Sequence, residues 1–569
     1  MSRLLLVLAT ALSIGATPQS DLGTPSKTGL VVSASSIASD AGAAVLADGG
    51  NAIDAAVATA FALAVTHPAA GNIGGGGFIV VRMPDGSARS FDFREKAPGK
   101  STETMYVGAD GKIDRALTSH GYLAPGVPGS VRGLALAHGT LGTLPWKRLV
   151  DPAVALARDG FVLHASLASN LNAQLRGTMG TFPSSVEAYG KPGGGEWQAG
   201  DRIVLSDLGK TLQAISDRGP DGFYKGWVAE QLAADMKANG GLITTDDLAK
   251  YQAKERTPLK GTFNGFEIVS MPPPSSGGVA LIEMLNILET LGIQKLPAQS
   301  AEAKHLQIEA MRRAFLDRAR YLGDPDFSEI PVQRLTSKAH ARGIAASITR
   351  DKATDSVTLG SDIVTPPVEH ESDETTHVSV LDRNGMAVAM TTTLEGSYGS
   401  RVVAKGLGFL LNNEMGDFNK KPGETNKGGD IGTKANLIAP GKRMLSSMTP
   451  AIVARGGKLV LITGTPGGRR IINTVTGIVL NVTAFGMTGR EAVDAPRMHH
   501  QWLPDMIGIE ANGADAGTLA KLKALGHDVR VGGQQGDAHS IWIDAKTGLA
   551  YGVNDTRTDD SKASVPAIK

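Results

Sequence analysis

Residues 374–399 read ETTHVSVLDRNGMAVAMTTTLEGSYG, and the fold class turns on them. Two segments in which apolar and polar residues alternate flank Asp382-Arg383-Asn384-Gly385, and Asn-Gly between such runs is a strong hairpin signal. A midpoint near Asn384 brings Thr393 opposite Thr375, within about one residue of register. Thr375, Thr376, Thr391, Thr392 and Thr393 then gather at one hairpin end, with Glu395 just beyond. A solvent-facing strand needs fewer polar groups, although threonine favours strands and a Thr-rich sheet edge has the same composition.

The chain has 569 residues, enough for several domains or one large sandwich. Hydrophobic residues make up 41%, aromatics only 5%, and 71 residues are glycine, which implies many tight turns and contacts made through small side chains. A formal charge of +1 carries no nucleic-acid footprint and no polybasic membrane patch, so the expected partner is a small molecule. There is no cysteine, which excludes disulfides, thiol catalysis and Cys-ligated metal. Residues 1–16 combine a basic start at Arg3, an apolar run and small residues at the end, the pattern of a secretory signal peptide. No later apolar run reaches the roughly 18 residues a membrane span needs. The expectation is an exported protein, periplasmic or secreted.

Upstream of the hairpin, residues 29–35 read as a strand, 41–47 as a short helix and 51–65 as an alanine-rich helix whose neighbours can approach closely. The glycine run Gly71-Asn72-Ile73-Gly74-Gly75-Gly76-Gly77 lacks dinucleotide-loop spacing and is read as a close-packing device before a strand over 79–83. Arg94 then stands at the end of the strand Ser90-Phe91-Asp92-Phe93. Its fork suits a substrate carboxylate, although pairing with Asp92 or Glu95 at the surface is the commoner use of such an arginine. Residues 149–158 and 208–239 read as helical scaffold. Met271-Pro272-Pro273-Pro274-Ser275-Ser276-Gly277-Gly278 is a rigid turn whose serines are read as helix caps. Residues 305–322 form an amphipathic helix with Arg312, Arg313, Asp317, Arg318 and Arg320 on its outer faces.

Residues 351–374 are polar and weakly patterned, an exposed loop that ends just before Thr375 and suits chain cleavage. Residues 419–442, rich in Gly, Lys and Asn, are expected to contribute no core and to form a mobile surface loop or lid. The strand over 458–463, the turn Gly464-Thr465-Pro466-Gly467-Gly468 and a helix over 469–485 present backbone N–H groups at a positive helix end. Such a turn suits an oxyanion, a phosphate or no ligand at all.

Metal chemistry is poorly supported, because the adjacent pair His499-His500 points to opposite sides of a strand and no His-Glu-x-x-His helix exists. The Gly-x-Ser-x-Gly elbow of serine hydrolases is also missing. The threonines remain. A threonine hydroxyl needs a base, and apart from His377, two along the strand, a free α-amine with a pKa of roughly 8 on the nucleophile's own residue supplies one. A cut between Glu374 and Thr375 would create that amine.

At this point a resemblance becomes specific. Thr375-Thr376-His377-x-Ser379-Val380, Gly385-x-x-Val388-Ala389-x-Thr391-x-Thr393-Leu394-Glu395 and Tyr398-Gly399 resemble the signature of the γ-glutamyltranspeptidases. The likeness extends in order through Gly71 to Phe78, Asp92-Phe93-Arg94-Glu95, the Pro-Ser-Ser-Gly-Gly turn, Asn412-Asn413-Glu414, Ser446-Ser447-Met448, Pro466-Gly467-Gly468 and Pro496-Arg497-x-His499-His500. It implies an α+β fold, the four-layer αββα sandwich of the N-terminal-nucleophile hydrolases. It also implies a precursor cut into a large subunit, 17–374, and a small subunit, 375–569, that share one core.

By the same resemblance Thr375 attacks the γ-amide of glutathione or a related γ-glutamyl compound, and the glutamyl group passes to water or to an amino acid or dipeptide amine. Thr393 orients the Thr375 amine. Gly467 and Gly468 donate to the oxyanion, contacts typically worth roughly 3–4 kcal/mol in the transition state. Arg94, Ser446 and Ser447 hold the substrate α-carboxylate, and Glu395, Glu414 and Asp417 receive its α-ammonium, a division of charge that suits a zwitterion. Neither cofactor nor metal is implied. Met386 departs from the small polar residue usual after the hairpin glycine, and the 419–442 loop contains no tyrosine to cover the pocket. The nearest enzymatic alternative is a related acylase acting on a glutaryl side chain. Such a substrate has no α-ammonium, and the three retained carboxylates argue against it. A non-catalytic scaffold of the same fold is the alternative from another class.

Overall fold

A computed structural model describes residues 22–363 and 375–567, so residues 1–16 and Glu374 lie outside the described part. Among the described residues the fold is α+β, organised by two seven-stranded sheets. One sheet runs in the order Lys562–Ser564, Gly29–Ser33, Thr376–Asp382, Ala387–Thr393, Gly76–Arg82, Ala88–Asp92, Lys254–Arg256, with every neighbour antiparallel. The other runs Thr24–Ser26, Ala550–Asn554, His539–Ile543, Lys458–Thr463, Ala451–Arg455, Phe266–Ser270, Leu259–Phe263, again antiparallel throughout.

The hairpin forms the middle of the first sheet. Pairing runs from Thr376↔Thr392 to Leu381↔Ala387, so the register continued by one residue sets Thr375 opposite Thr393. Asp382 and Met386 close a three-residue loop over Arg383-Asn384-Gly385. Both hairpin strands are buried on both faces. Val378, Val380, Val388 and Met390 pack toward the helices Ser36–Ala47 and Ala52–Thr66, whereas Ala387 and Ala389 join a core with Ile452, Leu461 and Ile541 of the second sheet. The alternation seen in the sequence therefore separates a helix-facing side from a sheet-facing side, and neither is wet.

The alanine-rich helix is wholly buried, and Asn51 caps it in a reciprocal box with Asp54. The glycine run does pack closely: a Cβ on Gly75 would stand 2.1 Å from the Thr393 carbonyl oxygen, so a side chain there pushes the second hairpin strand out of place. No described helix is long and apolar enough to cross a membrane.

Three expectations need correction. The helix Ala301–Tyr321 is not amphipathic in the ordinary sense, because Arg312, Arg313, Asp317 and Arg318 are buried with its apolar residues. They are tolerated as paired charges, with Glu309 receiving Arg313 at 2.6 Å and Arg312 at 3.3 Å. The 419–442 loop does contribute core: Ile438 packs with Phe418, Met415 and Met444, and Asn436 ties the loop down through Asp417 and Leu445. Residues 351–363 include a short helix, Ser356–Leu359, with Ser356 buried, while 364–374 lie outside the described residues.

A buried acid cluster between the helices Gly277–Leu291, Ala301–Tyr321 and Lys338–Ala345 sets a pH dependence. His340 Nε2 lies 2.8 Å from Asp317 and 3.5 Å from Glu283. Burial pushes the Glu283 carboxyl up to about 8, with His340 opposing and Asp317 adding to the rise. A carboxyl with a raised folded-state pKa holds a proton that the unfolded chain releases near 4.5, so its contribution to stability is lost as pH climbs from there to about 8. Glu283→Gln keeps the shape without the ionisation. Its melting temperature is expected to gain several degrees on the parent between pH 5 and pH 8, and a constant gap across that range would contradict the assignment.

Candidate active site

The open end of the hairpin meets three other segments. Thr375 is almost wholly buried, and its hydroxyl donates to Thr393 Oγ1 at 3.4 Å. Thr393 is held on both sides: Asn72 Nδ2 donates to its carbonyl at 2.9 Å, and the Glu395 backbone N–H donates to its hydroxyl at 2.8 Å. His377 does not serve Thr375. Its ring is bound by Thr391 at 2.8 Å and Ser379 at 3.2 Å and packed under Gly464, and burial with nearby His539 drives its pKa well below 6.5. It is a neutral tie between the two hairpin strands.

Arg94 follows the strand Ala88–Asp92 and is buried with its charge intact. Its guanidinium pairs with Glu414 at 2.5 Å, with Asp417, and with Glu95 at 3.5 Å, and donates to the Met444 and Leu445 carbonyls. Burial works against that charge, but Glu414, Asp417 and Glu95 raise its pKa above the ordinary arginine value. The same burial pushes Glu95 up to about 7 and Glu414 well above the carboxylate range, with Arg94 opposing both. The surface reading of Arg94 is therefore excluded. Apart from Glu95, its partners come from chain positions more than three hundred residues away.

Asn412 clamps the Gly74 and Gly126 carbonyls at 2.8 Å each, and Asn413 binds the Glu395 carboxylate and the Gly396 N–H. These two side chains set the ends from which Glu395 and Glu414 project. Ser446 and Ser447 stand beside Arg94, fixed by the Pro-Ser-Ser-Gly-Gly turn: Ser275 donates to the Met448 carbonyl and Ser276 to the Ser446 carbonyl, both at 2.6 Å. Ser276 is a clamp for this segment and not a cap, since it makes no side-chain cap bond, whereas Ser275 Oγ also accepts from the Gly277 N–H at the helix start at 3.0 Å. Arg318 adds a second hold, donating to Ser276 Oγ at 2.9 Å and Ser447 Oγ at 3.0 Å. The sequence reading missed Asn412, Asn413, Ser276 and Arg318 as site-builders. A density of charge on one helix was the available signal for Arg318.

On the far wall, Gly467 and Gly468 lead into the helix Arg470–Thr483. Gly467 has φ +130°, a left-handed conformation that favours glycine and turns the chain sharply before the first helical turn. One cavity of about 30 Å³ is lined by Arg94, Thr375, Thr393, Glu395, Glu414, Asp417, Ser446, Ser447 and Gly468 together. Gly467 is the single candidate outside its lining, one residue back along the turn. His499 and His500 take separate partners, Asn473 and Asp505, and so form no joint site.

The profile of the family described as Gamma-glutamyltranspeptidase matches residues 38–565. The chain belongs to the γ-glutamyltranspeptidase family. Among curated relatives, the glutathione hydrolase proenzyme of Escherichia coli (strain K12) is 46% identical over 536 residues, covering 94% of this chain and 91% of the relative. The crystal structure of Helicobacter pylori γ-glutamyltranspeptidase superimposes with a TM-score of 0.57 at 45% identity, covering 58% of this chain and 94% of that one. The cephalosporin acylase of Bacillus halodurans gives a TM-score of 0.83 over 98% of this chain and 99% of its own, but at 24% identity this is a likeness of fold. For this γ-glutamyltranspeptidase-family enzyme, the acylase likeness leaves the choice of substrate to the pocket.

Proposed function

We propose that the chain is an exported precursor that loses residues 1–16 and cuts itself before Thr375, leaving fragments 17–374 and 375–569 in one four-layer αββα sandwich. The helices on the outer side of the hairpin sheet, the two facing sheets and the helix Gly277–Leu291 against the second sheet support that layering. The mature enzyme cleaves the γ-glutamyl amide of glutathione and related compounds and passes the glutamyl group to water or an amine.

Thr375 Oγ adds to the γ-carbonyl carbon as its proton passes to the new α-amine, which Thr393 orients. The Gly467 and Gly468 N–H groups receive the oxyanion. The tetrahedral adduct then expels the amide nitrogen, which leaves with the proton carried by the amine, and a γ-glutamyl ester remains on Thr375. Water or an acceptor amine attacks that ester, returns a proton through the same amine and restores the hydroxyl.

The observation that carries the substrate is the meeting of Arg94, Ser446 and Ser447 with Glu395, Glu414 and Asp417 around one threonine. The cavity is about the size of one water, and Arg94 in its lining is paired with Glu414 and Asp417. A glutamyl head parts these pairs: its α-carboxylate takes the guanidinium and its α-ammonium takes the released carboxylates, so both charges keep partners. A glutaryl group satisfies the first demand only. Incubation with glutathione is expected to release glutamate and cysteinylglycine in equal amounts, and added glycylglycine to divert part of the glutamate into γ-glutamyl-glycylglycine. Cleavage of a glutaryl amide with no turnover of glutathione would overturn this assignment.

A further inference from the structure

Between the two sheets, at the end of the strand Gly76–Arg82 away from Thr393, lies a cleft of about 360 Å³. Three turns line it: Asp85-Gly86 after that strand, and Gly265 and Gly456-Gly457 in the second sheet. Gly76 pairs with Thr393 and Arg82 with Ala387, so at about 3.3 Å per residue along the strand the cleft stands roughly 20 Å from the active site.

Arg82 points to a ligand. Phe78 and Val80 face the second sheet, and Arg82 continues that side of the strand into the cleft. The residue is 3% exposed, and Nη2 donates to the Gly457 carbonyl at 2.6 Å. Its Nε is buried with no acceptor, and among the described residues no carboxylate lies within ion-pairing distance of the guanidinium. Other buried arginines are matched: Arg94, Arg312, Arg313 and Arg443 each face a carboxylate. One carbonyl does not neutralise a buried charge, so Arg82 calls for an anionic group from outside the chain.

The rest of the lining selects what carries that group. Asp85 and Glu267 are the other charged residues of the cleft, and among the described residues neither enters an ion pair; Asp85 accepts from the Ser87 N–H and hydroxyl. A simple anion on Arg82 would set a further negative charge near these carboxylates, and a simple cation between them would face Arg82. We propose that the cleft binds a small zwitterion of the α-amino acid class, its carboxylate on the Arg82 fork and its ammonium toward Asp85 and Glu267. Every charge then has a partner, and Phe266 and Ala454 offer an apolar wall to a short side chain.

Isothermal titration of the purified protein compares glycine with acetate and methylammonium, each of which carries one of its two charges. Glycine is expected to bind at least about tenfold tighter than either ion, the scale of one charge-assisted hydrogen bond. Arg82→Gln and Glu267→Gln should each weaken glycine by about tenfold or more, whereas any glycine held at the Arg94 pocket persists in both variants and is told apart by that. Glu267 occupies a partly exposed strand position, so its variant is expected to melt with the parent and decides the matter if Arg82→Gln folds poorly. Either ion bound as tightly as glycine, no glycine binding by the parent, or unchanged glycine binding in Glu267→Gln or in a folded Arg82→Gln overturns the proposal and leaves Arg82 as a tie between the sheets. The γ-glutamyl assignment stands or falls separately, on glutathione turnover.

Discussion

Replacement of Thr375 by Ala is expected to leave the chain uncut and to remove γ-glutamyl turnover, by a factor on the order of 10⁴ or more, as loss of a catalytic nucleophile does in covalent mechanisms. The fold should persist. Thr375 contributes one hydroxyl at the mouth of the pocket, a 3.4 Å contact with Thr393, while the strand that follows is fixed by Gly29–Ser33 on one side and Ala387–Thr393 on the other. The variant should therefore melt near the parent and run as a single band on a denaturing gel. Thr375→Ser keeps the hydroxyl and should retain both processing and turnover at reduced rates. A Thr375→Ala protein that still cleaves glutathione would exclude the threonine as nucleophile. One in which the parent itself was neither cut nor active would return the chain to the scaffold reading.

Replacement of Arg94 by Ala is expected to have the second largest effect, and on two quantities at once. The side chain is 1% exposed, and it is the cation at the centre of Glu95, Glu414 and Asp417. Removing one partner of a buried charge set leaves the others uncompensated and typically costs about 3–5 kcal/mol. Part of this is recovered here by protonation, since Glu95 and Glu414 already have raised pKa values and rise further without the guanidinium. Stability should therefore fall more at pH 8 than at pH 5, because the protonated carboxyls are the tolerated form. KM for glutathione should rise about a hundredfold or more with loss of the carboxylate anchor, while the smaller effect on kcat reflects an intact Thr375 and oxyanion turn. Arg94→Lys keeps a charge but not the fork that reaches Glu414, Asp417 and two carbonyls together, and should recover stability better than KM. Unchanged KM in both variants would remove Arg94 from the substrate site.

The central hairpin was legible in the sequence because its information is local. Asn384-Gly385 marks the turn, the alternation on either side fixes the register, and position counting alone sets Thr375 opposite Thr393. What the hairpin faces was not legible. Burial of Val378 and Val388 against helices and of Ala387 and Ala389 against a second sheet depends on strands that come from as far away as His539–Ile543. Arg94 shows the same limit. Its strand-end position was readable, but the choice between a surface pair and a buried anchor is made by Glu414, Asp417 and the Met444 and Leu445 carbonyls, which only the folded chain brings near. Arg318 was misplaced on an outer helical face because helical periodicity reports spacing and not what packs over each face. Here Ser276 and Ser447 cover it. Leu437 and Ile438, in a stretch too polar to suggest core, are buried because the loop folds back over Phe418 and Met444.

The place where the chain is cut decides whether Thr375 is the nucleophile. N-terminal sequencing of the two bands from freshly purified active protein is expected to find the smaller one beginning Thr375-Thr376-His377, with activity appearing in step with that band as the precursor disappears. Full activity in an unbroken chain, or a small fragment that begins at any other residue, would contradict it.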